Sequence, residues 1–178
     1  MNEMCAAGSQ FPGYSIVSLP QYRALNERIV KEFFRCADRP ERQSHFFHGR
    51  YENLYIGVDC VPSLQELLDA AVVQAAAVLQ LEPSRLKYGY WFNLMHPGHV
   101  TSLHSHDEDD ELLSCVYYLD VPRGSGDLVL HLAEERLAIT PENGMFVFFP
   151  PQLEHEVREN TSASPRLSLA INFGPADE

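Results

Sequence analysis

Residues 86–120, LKYGYWFNLMHPGHVTSLHSHDEDDELLSCVYYLD, decide the fold. Two β-rich runs, near 87–95 and 112–119, flank a loop that carries four of the chain's eight histidines: His96, His99, His104 and His106. Aromatic and β-branched residues dominate both runs, and Pro97-Gly98 breaks the chain between them. On an extended segment side chains two apart point the same way, so His104 and His106 can offer both imidazoles to one ion.

Downstream the same texture continues. Short apolar runs near 127–132, 136–139, 145–149 and 166–173 alternate with Gly, Pro and Asp clusters, among them turns at Pro122–Gly126 and Pro141–Gly144. Many short strands at this spacing predict a sandwich or barrel. Upstream, the spacing of Tyr22, Leu25, Ile29, Val30, Phe33 and Phe34 predicts a helix over 20–36, and Ser63-Leu64-Gln65-Glu66 reads as a capping box opening a second helix that runs to about Leu81. Residues 45–57 are polar and aromatic without a clear period; Phe46, Phe47, His48, Arg50 and Tyr51 could line an entrance or simply pack. The expected architecture is mainly β with flanking helices: a double-stranded β-helix, or jelly roll, with two N-terminal α-helices packed outside. It is read as a single domain over 1–178, with helical support from 20–82 and the β core at 87–174.

At 178 residues and 45% hydrophobic content the chain can bury one ordinary core. Lys plus Arg total 13 against 25 for Asp plus Glu, a net charge of −12, which argues against nucleic acid as a partner. No run is long and apolar enough to span a membrane, and no signal-peptide order opens the chain, so a cytoplasmic location is expected. Cys5, Cys36, Cys60 and Cys115 form no CxxC pair and are read as reduced thiols.

A third metal ligand from a distant strand would complete a facial set with open positions, and His155 follows the apolar run ending Phe149-Pro150-Pro151. The candidate ligands are therefore His104, His106 and His155. Asp107 to Glu111 is an unbroken acidic run, which reads first as a solvated hairpin tip, but Asp107 or Glu108 could replace one imidazole with a carboxylate. Eleven residues past His155, Arg166 and Ser168 share one face of the last strand, opposite Leu167, Leu169, Ile171 and Phe173. An arginine turned into a barrel needs an anion, and its planar fork matches a carboxylate.

In order, Met95-His96-Pro97-Gly98, Leu103-His104-Ser105-His106, Cys115-Val116-Tyr117-Tyr118-Leu119, Ser125-Gly126-Asp127-Leu128, Phe148-Phe149 with His155-Glu156-Val157, and Arg166-Leu167-Ser168 resemble the iron(II)- and 2-oxoglutarate-dependent oxygenases, in particular their prolyl-hydroxylase-like branch. The resemblance implies an Fe(II) enzyme that uses 2-oxoglutarate and O2 to hydroxylate a small molecule or peptide. It assigns His104 and His155 to the iron, Arg166 with Ser168 and Tyr118 to the far carboxylate of 2-oxoglutarate, and His96 to the cosubstrate's other end. The family's HxD aspartate falls on His106 here. A cupin reading uses His104, His106, Glu111 and His155 and has no use for Arg166; a third reading is a binding module that kept the barrel and lost the chemistry. The prime substrate and the oligomeric state are not legible in the sequence.

Overall fold

The computed structural model describes residues 13–106 and 110–176. In chain order the elements are β1 (Ser15–Ser18), α1 (Tyr22–Cys36), β2 (Arg42–Phe47), β3 (Arg50–Tyr55), α2 (Leu64–Leu79), β4 (Leu86–Met95), β5 (Thr101–His104), β6 (Leu113–Asp120), β7 (Leu128–His131), β8 (Arg136–Ile139), β9 (Met145–Phe149), β10 (His155–Val157) and β11 (Arg166–Pro175). They form a seven-stranded sheet, ordered β1-β9-β6-β11-β4-β3-β2, facing a four-stranded sheet, ordered β5-β10-β7-β8. This is the jelly-roll sandwich, and both helices pack on the outer face of the larger sheet.

The two-residue strand period divides β11 cleanly. Leu167, Leu169, Ile171 and Phe173 face out into a core shared with Leu25, Ile29 and Phe33 of α1 and Leu64, Leu67 and Leu68 of α2. Burying side chains of this size contributes roughly 1.5–3 kcal/mol each. Arg166, Ser168, Ala170 and Asn172 face the other way, between the sheets. β11 lies between β4 and β6, so it is a central strand with no free edge.

Asn26, on the buried stripe of α1, joins helix to sheet. Its Nδ2 donates to the carbonyls of Tyr118 (3.2 Å) and Leu119 (2.8 Å), and its Oδ1 accepts from the Tyr117 hydroxyl at 2.7 Å. Every polar atom of this buried side chain is thereby used.

The expected capping box does not form. Ser63 precedes α2 but makes no cap to the helix; its hydroxyl and backbone N–H both donate to Glu32 of α1, at 2.8 and 2.9 Å. A carboxylate from the neighbouring helix outcompetes the local cap, which ties α2 to α1. Phe34 is also off the buried stripe, 49% exposed and stacked edge-on against Phe33.

Candidate metal centre and its chamber

The loop after β4 returns the chain along the smaller sheet, where β5 pairs antiparallel with β10 and sets His104 directly opposite His155. His106, two residues on, is held by a backbone hydrogen bond from its N–H to the Pro151 carbonyl, 2.7 Å. One nitrogen from each of His104, His106 and His155 lies within 4.8 Å of the others, a group able to hold a metal ion.

The protonation pattern suits that use. His104 Nδ1 lies 2.7 Å from the Ser102 carbonyl and His155 Nδ1 lies 2.9 Å from that of Leu153. A carbonyl only accepts, so each Nδ1 carries the proton and each Nε2 keeps a lone pair for a ligand bond. Burial pushes the His155 imidazole down to about 3, helped by the neighbouring His104. It is therefore neutral and coordination-ready at neutral pH.

Beyond the imidazoles a chamber of about 750 Å³, open mouth included, runs between the sheets. Phe149, 4.7 Å from the His155 ring, and Trp91, 5.5 Å from the His106 ring, wall the histidines. At the chamber's inner end lies Arg166, only 1% exposed. Its Nη1 donates to the Gly126 carbonyl at 2.8 Å and its guanidinium sits 5.0 Å over the Tyr118 ring; among the described residues its Nε and the buried hydroxyls of Tyr118 and Ser125 meet no well-aligned hydrogen-bond partner. Burial lowers the arginine's pKa and raises the Tyr118 phenol to about 12, with the guanidinium pulling the phenol back.

Gly126 makes this end possible: at φ 96° it is left-handed, and a Cβ there would fall 2.1 Å from the Arg158 carbonyl oxygen. Only glycine fits between Arg158 and the arginine it anchors.

Of the residues singled out in the sequence, His104, His106, His155, Arg166 and Ser168 all line the chamber, and Tyr118 lies against the arginine. His96 does not join them. It is exposed in the turn after β4, its ring 5.4 Å from that of His99, while its neighbour Met95 takes the place in the chamber wall. Glu111 is not in the histidine group; it accepts from Asn172 Nδ2 at 3.4 Å. Asp107 and Glu108 lie outside the described residues.

Sequence reasoning placed a candidate entrance in this segment but on Phe46, Phe47, His48, Arg50 and Tyr51, none of which lines the chamber; His45, Glu52 and Asn53, from β2 and β3, and Trp91 and Asn93, from β4, do. Trp91, Asn93 and Met95 are two apart, a signal available in the sequence. His45 carries none, because it enters the chamber through an irregularity in β2: the register skips it, it adopts φ 55°, and its Nδ1 is met by Asn53 Nδ2 at 2.9 Å.

Three imidazoles able to hold one metal ion thus lie beside a chamber that ends in a buried arginine. Over residues 86–174 the sequence matches the 2OG-Fe(II) oxygenase superfamily, and the chain belongs to that superfamily. No curated protein sequence matches it. Among solved structures it is similar to a Pseudomonas putida prolyl-4-hydroxylase, with 24% identity, 93% of this chain and 94% of that one covered, and a TM-score of 0.74. It is also similar to a Trichoplax adhaerens prolyl hydroxylase in complex with a hypoxia inducible factor peptide fragment (13%, 91% and 83%, 0.70). A third likeness is to the non-haem alpha ketoglutarate dependent epimerase SnoN of nogalamycin biosynthesis (17%, 90% and 77%, 0.71). At these identities the likenesses establish the fold.

Proposed function

We propose that the protein is a hydroxylase in which His104, His106 and His155 hold Fe(II), and Arg166, with Tyr118 and Ser168, holds the far carboxylate of 2-oxoglutarate. The observation that carries this reading is the buried Arg166 guanidinium at the inner end, set over the Tyr118 ring, with its Nε and the Tyr118 hydroxyl meeting no well-aligned partner among the described residues. A buried cation short of hydrogen bonds is costly, and a carboxylate repays the cost. Bound there, iron and 2-oxoglutarate would supply the oxidising chemistry by which O2 hydroxylates a C–H bond.

The chain's own part is placement. The Ser102 and Leu153 carbonyls fix two imidazoles with Nε2 aimed at the metal position. Tyr118, its phenol pushed up to about 12, stays protonated and donates to the carboxylate that Arg166 neutralises. Trp91 and Phe149 keep water from the metal, while His45, Asn53 and Asn93 offer hydrogen bonds at the mouth to a small molecule or a peptide. His96, out of the chamber, has no part. Three neutral imidazoles leave the metal's charge undiminished, where the family's aspartate would reduce it by one. The acidic surface and reduced thiols fit a cytoplasmic setting.

The test is anaerobic: Fe(II)-loaded protein is titrated with 2-oxoglutarate while the weak visible band of the iron chelate is followed. The band is expected in the unaltered protein, absent in His155→Ala for want of iron, and absent in Arg166→Ala at the same 2-oxoglutarate concentration. Iron bound by the unaltered protein with no band refutes the cosubstrate assignment.

A further inference from the structure

The 42–55 hairpin that brings His45, Glu52 and Asn53 to the chamber mouth is bracketed by two cysteines: Cys36 ends α1 just before it, and Cys60 sits in the turn just after it. They are 24 positions apart in sequence, yet the Cys36 thiol donates to the Cys60 carbonyl, Sγ to oxygen 3.6 Å. The Cys36 sulfur thus lies against the backbone of Cys60, and a bond between the two asks for Cα atoms roughly 4.4–6.8 Å apart. The two differ in accessibility. Cys60 is exposed and Cys36 only 8% so. The neighbouring Cys60 and burial raise the Cys36 thiol's pKa, so Cys36 waits as a thiol while Cys60 meets solvent. An exposed thiol backed by a buried one is the arrangement of an attacking and a resolving cysteine.

We propose that Cys36 and Cys60 are an oxidative modification site, closed to a disulfide by hydroperoxides, that staples the base of the hairpin forming one wall of the chamber mouth. The Cys60 thiolate attacks hydrogen peroxide; an S–O bond forms, the O–O bond breaks, and the departing hydroxide takes a proton to become water. The Cys36 sulfur then attacks the Cys60 sulfenic acid, forming the S–S bond, breaking S–O and releasing a second water. Two thiols are oxidised by two electrons in all, and one peroxide is reduced to two waters. The base of the hairpin is already clasped, since Glu41 N–H donates to the Tyr55 carbonyl at 2.9 Å and its Oε1 accepts from Gly57 N–H at 3.1 Å. The bond therefore closes across a segment already in place and reduces its opening. The site stands independently of the hydroxylase assignment.

The full chain, metal-free, is treated with one equivalent of hydrogen peroxide, blocked with N-ethylmaleimide and digested without reductant. Mass spectrometry should find the Cys36 and Cys60 peptides joined, lighter than the two free peptides by two hydrogen atoms. The oxidised protein should melt several degrees higher and exchange amide hydrogens more slowly across 42–55, and dithiothreitol should reverse both changes. With peroxide raised to two or more equivalents, Cys36→Ser should instead carry Cys60 on to sulfinic acid, and Cys60→Ser should form no link. Sulfinic acid on Cys60 of the unaltered chain with Cys36 still alkylated, a link from either residue to Cys5, or two unreacted thiols in excess peroxide would each overturn the proposal.

Discussion

Replacing Arg166 with methionine separates what the residue does for binding from what it does for the fold. The side chain is 1% exposed and makes one hydrogen bond, to the Gly126 carbonyl. A carboxylate held by the guanidinium gains up to two charge-assisted hydrogen bonds at about 1.5–3 kcal/mol each, so its loss costs about 3–6 kcal/mol, or roughly two to four powers of ten in affinity. The metal-free fold should scarcely notice. Exchanging a buried ion for an apolar side chain of similar volume is often neutral or stabilising by about 1–4 kcal/mol, against about 1–3 kcal/mol for the orphaned Gly126 carbonyl. The two nearly cancel, and at roughly 2–4 °C per kcal/mol for a chain of this size the melting temperature should move by no more than about 8 °C. Calorimetric titration of 2-oxoglutarate into the Mn(II)-loaded variant, with a thermal melt of the metal-free protein, reads both quantities. A variant that melts more than about 15 °C lower, or one that binds 2-oxoglutarate as tightly as the parent, refutes the reasoning, because Arg166 would then serve the fold.

Tyr118→Phe removes a buried hydroxyl that has no partner in the cosubstrate-free chamber; it should weaken 2-oxoglutarate by about tenfold while leaving the metal-free melting temperature equal or higher, measured by the same titration and melt. The buried His155 holds its imidazole neutral down to about pH 3, against 6.5 in the unfolded chain. Below pH 6.5 the unfolded chain thus takes up a proton the folded one refuses, so metal-free stability, fully present above 6.5, should fall by up to about 1.4 kcal/mol per pH unit toward pH 3; urea unfolding at stepped pH tests this, and His155→Gln should flatten the slope. Asn26→Leu strands the Tyr117 hydroxyl and takes a donor from the Tyr118 and Leu119 carbonyls beneath α1, the first of which keeps the Gly144 N–H, and should cost about 1–3 kcal/mol in urea unfolding; a loss below about 0.5 kcal/mol would mean that α1 docks by apolar contact alone.

Legibility in the sequence followed the strength of the periodic signal. The 145–149 strand is read to the residue and the 87–95 strand to within one, because both carry long apolar runs that tertiary packing reinforces. β5 and β10 are four and three residues long, too short to impose a period, yet they carry His104 and His155. These candidate ligands were singled out by their chemistry and not by their strands. β2 is the outer strand of its sheet, exposed or half-exposed along its whole length, so it leaves no alternation to read: the segment was legible as a candidate entrance, but its strands and the residues that line the chamber were not. His96 was placed by resemblance alone; the turn after β4 carries it outward, and the wall position falls to Met95 one residue earlier.

The same period that made β11 readable explains how so small a chain holds a buried charge. Leu167, Leu169, Ile171 and Phe173 lock the strand against both helices, while β4 and β6 pair it along nearly its full length. The strand that carries Arg166 is thus among the most firmly held in the molecule, and a rigid backbone is what keeps a guanidinium in place when its own hydrogen bonds are incomplete. Stability is supplied by the odd-numbered residues facing the helices, and the chamber is lined by the even-numbered ones. Helix-side substitutions in β11 should therefore lower stability before they touch the chamber, and chamber-side ones the reverse.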